Sequence, residues 1–178
     1  MTANGDVTTA KVAVLLGSDS DLPVMRKCLA SLEELGVPYD IVVASAHRTP
    51  ERVADYVARG ERAGVQVFIA AAGGAAHLAG AVAAKTSLPV IGVPLAVAPL
   101  QGVDALHSTV QMPPGLPVAT VAVGDYGATN AGILAAQIVA VGDAALRARL
   151  REFRAAMTGK VVQKSAKMRA ELGLPPEA

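Results

Sequence analysis

The stretch Tyr39-Asp-Ile-Val-Val-Ala-Ser-Ala-His-Arg-Thr-Pro-Glu51 holds two structural signals side by side. Tyr39 to Ala44 is a mostly apolar run that reads as a strand. Pro50 has no amide hydrogen and a preset φ, which suits the first position of a helix with Thr49 as its cap. Ser45, His47 and Arg48 therefore stand at the mouth of a strand-to-helix loop. Open parallel sheets bind ligands at the carboxyl ends of their strands. The loop thus offers a titratable imidazole and a permanent cation together, as a catalytic proton carrier beside an anion holder.

The same punctuation recurs on either side. Lys11–Leu16 is an apolar run closed by Gly17, as expected of a strand buried in a parallel sheet. Further strands are expected at Val65–Ala71, Pro89–Val93 and Val118–Val123. Helices are expected at Leu22–Leu35, stopped by Gly36, at Pro50–Ala63, stopped by Gly64, and at Ala75–Thr86 and Ala128–Val141, with a short one at Gly102–Val110. Strict alternation of strand and helix means a parallel sheet covered on both faces. The expected class is α/β: a flavodoxin-like, three-layer, doubly wound, parallel five-stranded sheet with an extra C-terminal helix. Residues 1–10 read as a disordered leader, 11–142 as the α/β catalytic domain and 143–178 as a helical tail. Leu146, Leu150, Phe153, Met157 and Val161 form an apolar stripe along that tail, with a break allowed at Gly159. Five βα units already cover the sheet, so the tail is expected to pack on neighbouring subunits.

Bulk composition narrows the function. The chain has 178 residues and a formal net charge of +1, so no basic face for nucleic acid is expected. Mean hydropathy is +0.42, and apolar surface buried between subunits is expected rather than a membrane span. Met1–Ala10 is polar and lacks the apolar segment of a secretory signal, which makes the cytoplasm the default location. Cys28 is the only cysteine; it cannot form an internal disulfide, and in its helical pattern it reads as a core residue. Aromatics are 3%, which leaves little to stack on a flavin. The three histidines are far apart in sequence, so no compact metal-ligand motif appears. No GxSxG elbow is present.

Two more loops follow strands. Gly17-Ser18-Asp19-Ser20-Asp21 combines a turn glycine, hydroxyls and a following helix start, which suits a phosphate or ribose. The same residue types are also common helix caps. Ala71-Ala72-Gly73-Gly74-Ala75-Ala76-His77 lets backbone amides approach a ligand, or makes a tight turn. It is neither a GxGxxG fingerprint nor a Walker loop. His77 either orients this loop or transfers protons, and His107 reads as a structural or surface residue. A receiver-type signalling domain on this fold needs a phosphoacceptor aspartate after the third strand, where this chain has Ala70-Ala71-Ala72.

Taken together, Gly-Ser-Asp-Ser-Asp at 17–21, Ser-Ala-His-Arg-Thr-Pro-Glu at 45–51, Ala-Gly-Gly-Ala-Ala-His-Leu at 72–78, Ala-Ala-Lys-Thr at 83–86, Val-Gln-Met-Pro at 110–113 and Ala-Thr-Asn-Ala at 128–131 occur in an order that resembles the N5-carboxyaminoimidazole ribonucleotide mutase family. The resemblance implies a flavodoxin-like subunit of a homo-octamer. It implies a reaction that moves a carboxylate from the exocyclic nitrogen to ring carbon C4, needing no redox cofactor, metal or ATP. It also implies that Ser18, Asp21 and Arg48 bind the nucleotide, that His47 is the general acid/base, and that Ser45, Gly73, Gly74, His77 and Leu78 line the site. Two stretches depart from the family pattern. Ala79 stands where many members have proline, and Val93–Ala98 is more apolar than usual. A direct carboxylase using free carbon dioxide is the nearest enzymatic alternative.

Overall fold

In a computed structural model the described residues are 9–176. The leader expected at 1–10 falls mostly outside them, and Ala10 at its end is buried. Five strands, β1 (Val12–Leu16), β2 (Tyr39–Val43), β3 (Val67–Gly73), β4 (Val90–Leu95) and β5 (Ala119–Thr120), form one all-parallel sheet in the order β2-β1-β3-β4-β5. Winding runs outward in both directions from the β1/β3 pair. Such a switch in strand order opens a crevice at the carboxyl edge.

Alternation along the strands builds two cores. Val12, Val14 and Leu16 point to one face and Ala13 and Leu15 to the other. The first face is covered by α1 (Leu22–Glu34), α5 (Asp125–Val139) and the start of α6 (Ala144–Glu171). The second is covered by α2 (Pro50–Ala63) and α3 (Leu78–Ala83), with Tyr56, Val57 and Leu78 packed around Phe68. Small residues let the layers pack closely where helices meet. A Cβ on Gly132 of α5 would lie 2.6 Å from the Cys28 carbonyl of α1. The short helix α4 (Val103–Val110) precedes β5.

Several expectations change in detail. The expectation that no charge-free run reaches the ~18 residues of a membrane span fails in the sequence itself, since residues 63–84 carry no Asp, Glu, Lys or Arg, but the chain divides that stretch between β3 and α3. Among the described residues no helix is long and apolar enough to cross a membrane. The fifth strand is shorter than Val118–Val123 because Pro94 of β4 faces it. The Pro94 carbonyl accepts from Gly124 N at 3.0 Å, but proline has no amide hydrogen to return. Thr49 holds the N-cap position of α2 without capping it. Its hydroxyl instead accepts from Ser45 N at 2.9 Å and donates to Ser45 O at 3.1 Å.

The tail is a single helix with no break at Gly159. Asp143 caps it by accepting from Leu146 N at 2.9 Å. The apolar stripe divides. Leu146 and Leu150 are buried in the subunit's own core, and Phe153 packs partly against it. Arg147 donates to the Ala140 and Val141 carbonyls and Arg149 to Leu35 O, so α6 also caps the ends of α5 and α1. Met157, Val161, Val162 and Met168, farther along, are exposed.

Candidate functional site

The loops after β1, β2 and β3 close around one cleft of about 390 Å³ at the carboxyl edge, a size suited to a small ligand. All nine residues singled out in the sequence line it: Ser18 and Asp21 from the first loop, Ser45, His47 and Arg48 from the second, and Gly73, Gly74, His77 and Leu78 from the third. His107 does not; it is exposed on α4.

Each loop is held by its own polar groups. In the first, Gly17 N donates to Ala71 O at 2.9 Å, which ties the turn to β3. Ser18 and Asp21 then form a reciprocal capping box around the 3₁₀ turn Asp19–Asp21. Ser18 N donates to Asp21 Oδ2 at 2.9 Å. Burial holds the Asp21 carboxyl above its ordinary range, against the opposing pull of the Ser18 and Gly17 amides. The capping reading of this loop is thus seen directly, and the side chains of the box border the cleft.

In the second loop Thr49 and Ser45 bracket His47 and Arg48. Ser45 Oγ accepts from Arg48 N at 3.2 Å. The Arg48 guanidinium reaches across to Gly17 O at 3.4 Å, joining the first two loops. Its planar fork of donors retains further N–H groups for an anion.

The third loop turns at Gly74, with φ +63°. Gly73 also needs its missing side chain, because a Cβ there would lie 3.0 Å from Val97 and 3.2 Å from the Leu95 carbonyl. Val97 thereby closes over the loop and joins the lining. It belongs to the apolar stretch Val93–Ala98 and gives the cleft an apolar wall. Leu78 is 2% exposed and serves as floor, its side chain committed to the core.

Sequence reasoning placed His47 and His77 in separate loops and did not join them. The structure sets His47 Nε2 2.8 Å from His77 Nδ1, with the rings nearly perpendicular at 78°. One nitrogen must donate and the other accept, so the contact holds one proton between two imidazoles. Also missed was Ser108 of α4, whose Oγ accepts from Ala76 N at 2.9 Å. Nothing local in the sequence marks it. The remaining motifs lie outside this cleft. Met112 packs on Gly80, Thr86 hydrogen-bonds Glu61, and Ala128 and Ala131 are fully buried. Among the described residues no three His, Cys, Asp or Glu side chains are grouped to hold a metal ion.

The family model described as AIR carboxylase matches residues 11–160. This chain belongs to that family. It is 51% identical over 154 residues to the N5-carboxyaminoimidazole ribonucleotide mutase of Haemophilus influenzae, covering 86% of this chain and 94% of the relative. It is 48% identical over 158 residues to the mutase of the same name from Thermotoga maritima, covering 89% and 91%. The corresponding Escherichia coli mutase is 50% identical over 154 residues, covering 86% and 91%. The crystal structure of Treponema denticola PurE superposes with a TM-score of 0.81 at 27% identity, covering 89% of this chain and 98% of that one. The parallel sheet, the two helical layers and the purine-biosynthetic family expected from the motifs are thus borne out.

Proposed function

We propose that this protein is an N5-carboxyaminoimidazole ribonucleotide mutase of purine biosynthesis, with the cleft at the β1/β3 switch point as its active site. The observation that carries the reading is the convergence of His47, Arg48 and the Gly73-Gly74 loop on one cleft, in a chain about half identical to mutases of that name. Arg48 and Ser18 bind the phosphate, and Asp21 accepts hydrogen bonds from the ribose. Bound this way, the nucleotide puts its base between the two histidines and the apolar wall.

The exchange runs in two steps. The bond between the exocyclic nitrogen and its carboxylate breaks, carbon dioxide leaves, and the nitrogen takes a proton. The electron-rich C4 then attacks the trapped carbon dioxide, a carbon–carbon bond forms, and C4 loses its proton. His47 supplies the first proton and takes up the second, so the cycle closes without net proton change. His77, hydrogen-bonded to His47, keeps the proton taken from C4 within the pair until the next turnover. Val97, Leu78 and the glycine loop hold carbon dioxide away from bulk water. Recapture then becomes an encounter between neighbours in one pocket.

The subunit works in a cytoplasmic homo-octamer, with the outer half of α6 lying on neighbouring subunits. Two features support that reading. Val161 is 66% and Val162 58% exposed on a single chain. Charge is also uneven: residues 143–178 hold eight of the sixteen Lys and Arg but four of the fifteen Asp and Glu. The tail is therefore basic and the rest of the subunit acidic, which favours tail-to-body contact between copies.

Two substrate mixtures test the activity. The purified protein is given N5-carboxyaminoimidazole ribonucleotide without bicarbonate, and separately aminoimidazole ribonucleotide with bicarbonate. Rapid formation of the C4-carboxylated isomer in the first mixture is expected. Product only in the second would replace the mutase by a direct carboxylase.

A further inference from the structure

We infer that Ser108, although outside the cleft, is a positioning residue that fixes the place of His77, given the mutase reading of the cleft proposed above. Gly73 ends β3 opposite Leu95, and His77 is tied by its N to Ala75 O at 2.8 Å and by its O to Ala81 N at 2.9 Å; the turn between them, Gly74–Ala76, has fewer restraints of its own. Gly73 and Gly74 have no side chains, Gly74 takes φ +63°, and a Cβ added at Gly74 would find nothing within 4 Å. His77 occupies the N-cap position of α3 without a side-chain cap. Yet the His77 ring must meet His47 at hydrogen-bond distance.

The restraint comes from a residue 32 positions downstream. Ser108 Oγ accepts from Ala76 N at 2.9 Å. Its single hydrogen is directed to the Asp104 carbonyl at 2.8 Å, with the Ala105 and Gly74 carbonyls at 3.2 and 3.4 Å as further acceptors. Donation within the helix turns a lone pair of the oxygen toward Ala76. Ala76 is 2% exposed, so water is poorly placed to take over as acceptor for its amide. The next residue is His77. Helix α4 is itself anchored by buried Ala105 and Thr109, which makes Ser108 a fixed post. Ser108 is not among the residues lining the cleft. Its effect on the reaction runs through the loop.

The test uses the full-length protein and its turnover of N5-carboxyaminoimidazole ribonucleotide. Ser108→Ala is expected to fold and assemble as the parent does and to lower kcat about tenfold, a modest share of what misplacement of a reacting group costs. KM should stay within about twofold, because Arg48 and the first loop still bind the nucleotide. Ser108→Thr, which keeps an Oγ, should restore kcat. In a His77→Asn background Ser108→Ala should change kcat less than about twofold, since the residue it acts through is gone. A folded Ser108→Ala with parental kcat overturns the role. So does an equal loss of kcat in both backgrounds, which is what a general structural residue would give. If Ser108→Ala does not fold, Ser108→Cys, a space-filling but weak acceptor, takes its place in the same cycle. A parent protein without mutase turnover would sink the mutase reading together with this role, whereas an active parent with an indifferent Ser108→Ala sinks only the role of Ser108.

Discussion

The cleft at the carboxyl edge and the outer half of α6 lie in one chain but are held in opposite ways. In the cleft, polar side chains are held by one another. Ser18 and Asp21 form the capping box, Ser45 and Thr49 bracket the second loop, and His47 meets His77. Along α6, the chain holds only the beginning. Arg147, Arg149, Leu146 and Leu150 fasten the first turns, while Met157, Val161 and Met168 remain 45%, 66% and 53% exposed. Helices draw most of their stability from packing of an apolar face. The site is therefore built largely by its own chain, whereas the apolar residues of the outer helix are left uncovered by the described residues of that chain. Damage in the first region should cost chemistry with little loss of fold, and damage in the second should cost assembly with the cleft residues intact.

Four experiments press on that difference. The largest effect is expected at the histidine pair: His47→Asn should fold and bind nucleotide but lose about 10²–10⁴ in mutase turnover. Near-parental turnover would remove His47 from the mechanism. Next, Arg48→Ala should weaken the nucleotide about 10- to 100-fold in titration calorimetry while leaving the dephosphorylated nucleoside nearly unchanged. Equal weakening of both would mean that Arg48 does not read the phosphate. On the tail, the pair Met157→Asp and Val161→Asp should lower the assembly state seen by light scattering. Deleting all of 143–178 is a poorer test, because it would also strip Leu146 and Leu150 from the subunit core. Unchanged assembly of the double variant would assign the outer helix no partner surface.

The smallest effect concerns Asp21. Its carboxyl is raised by burial, so the folded chain holds that proton more readily than the unfolded chain does. Its contribution to stability is then present below the unfolded pKa and is lost as pH rises through the folded value. The melting temperature of Asp21→Asn relative to the parent should climb between pH 4 and 7, by a few degrees at most. A relative melting temperature that falls over that range would show the charged form to be favoured instead.

How much of this was legible in the sequence depends on punctuation. Helix α2 falls on its expected bounds, Pro50 to Ala63, because proline opens it and Gly64, at φ +89°, closes it. Helix α3 had been expected from Ala75 and starts at Leu78. Its first residues are taken up by a turn that Ser108 restrains, and a run of alanines carries no mark of that. The cleft residues were legible because they sit directly after strands. The contact between His47 and His77 was not, since it depends on how two loops converge across the sheet. The tail stripe was visible as a stripe, but its period is the same where it meets its own core and where it leaves it. Spacing alone therefore could not divide it.

The lone cysteine has a practical consequence. Cys28 is fully buried beneath α5, and burial pushes its thiol up to about 12. Buried and kept protonated at neutral pH, it is a poor target for oxidants and alkylating probes while the chain is folded. The protein thus comes with a silent thiol background. A cysteine introduced at Thr158, exposed on the single chain, would accept a fluorophore or spin label alone before assembly, with no need to remove Cys28. The surroundings of the outer helix could then be reported in the working enzyme during turnover.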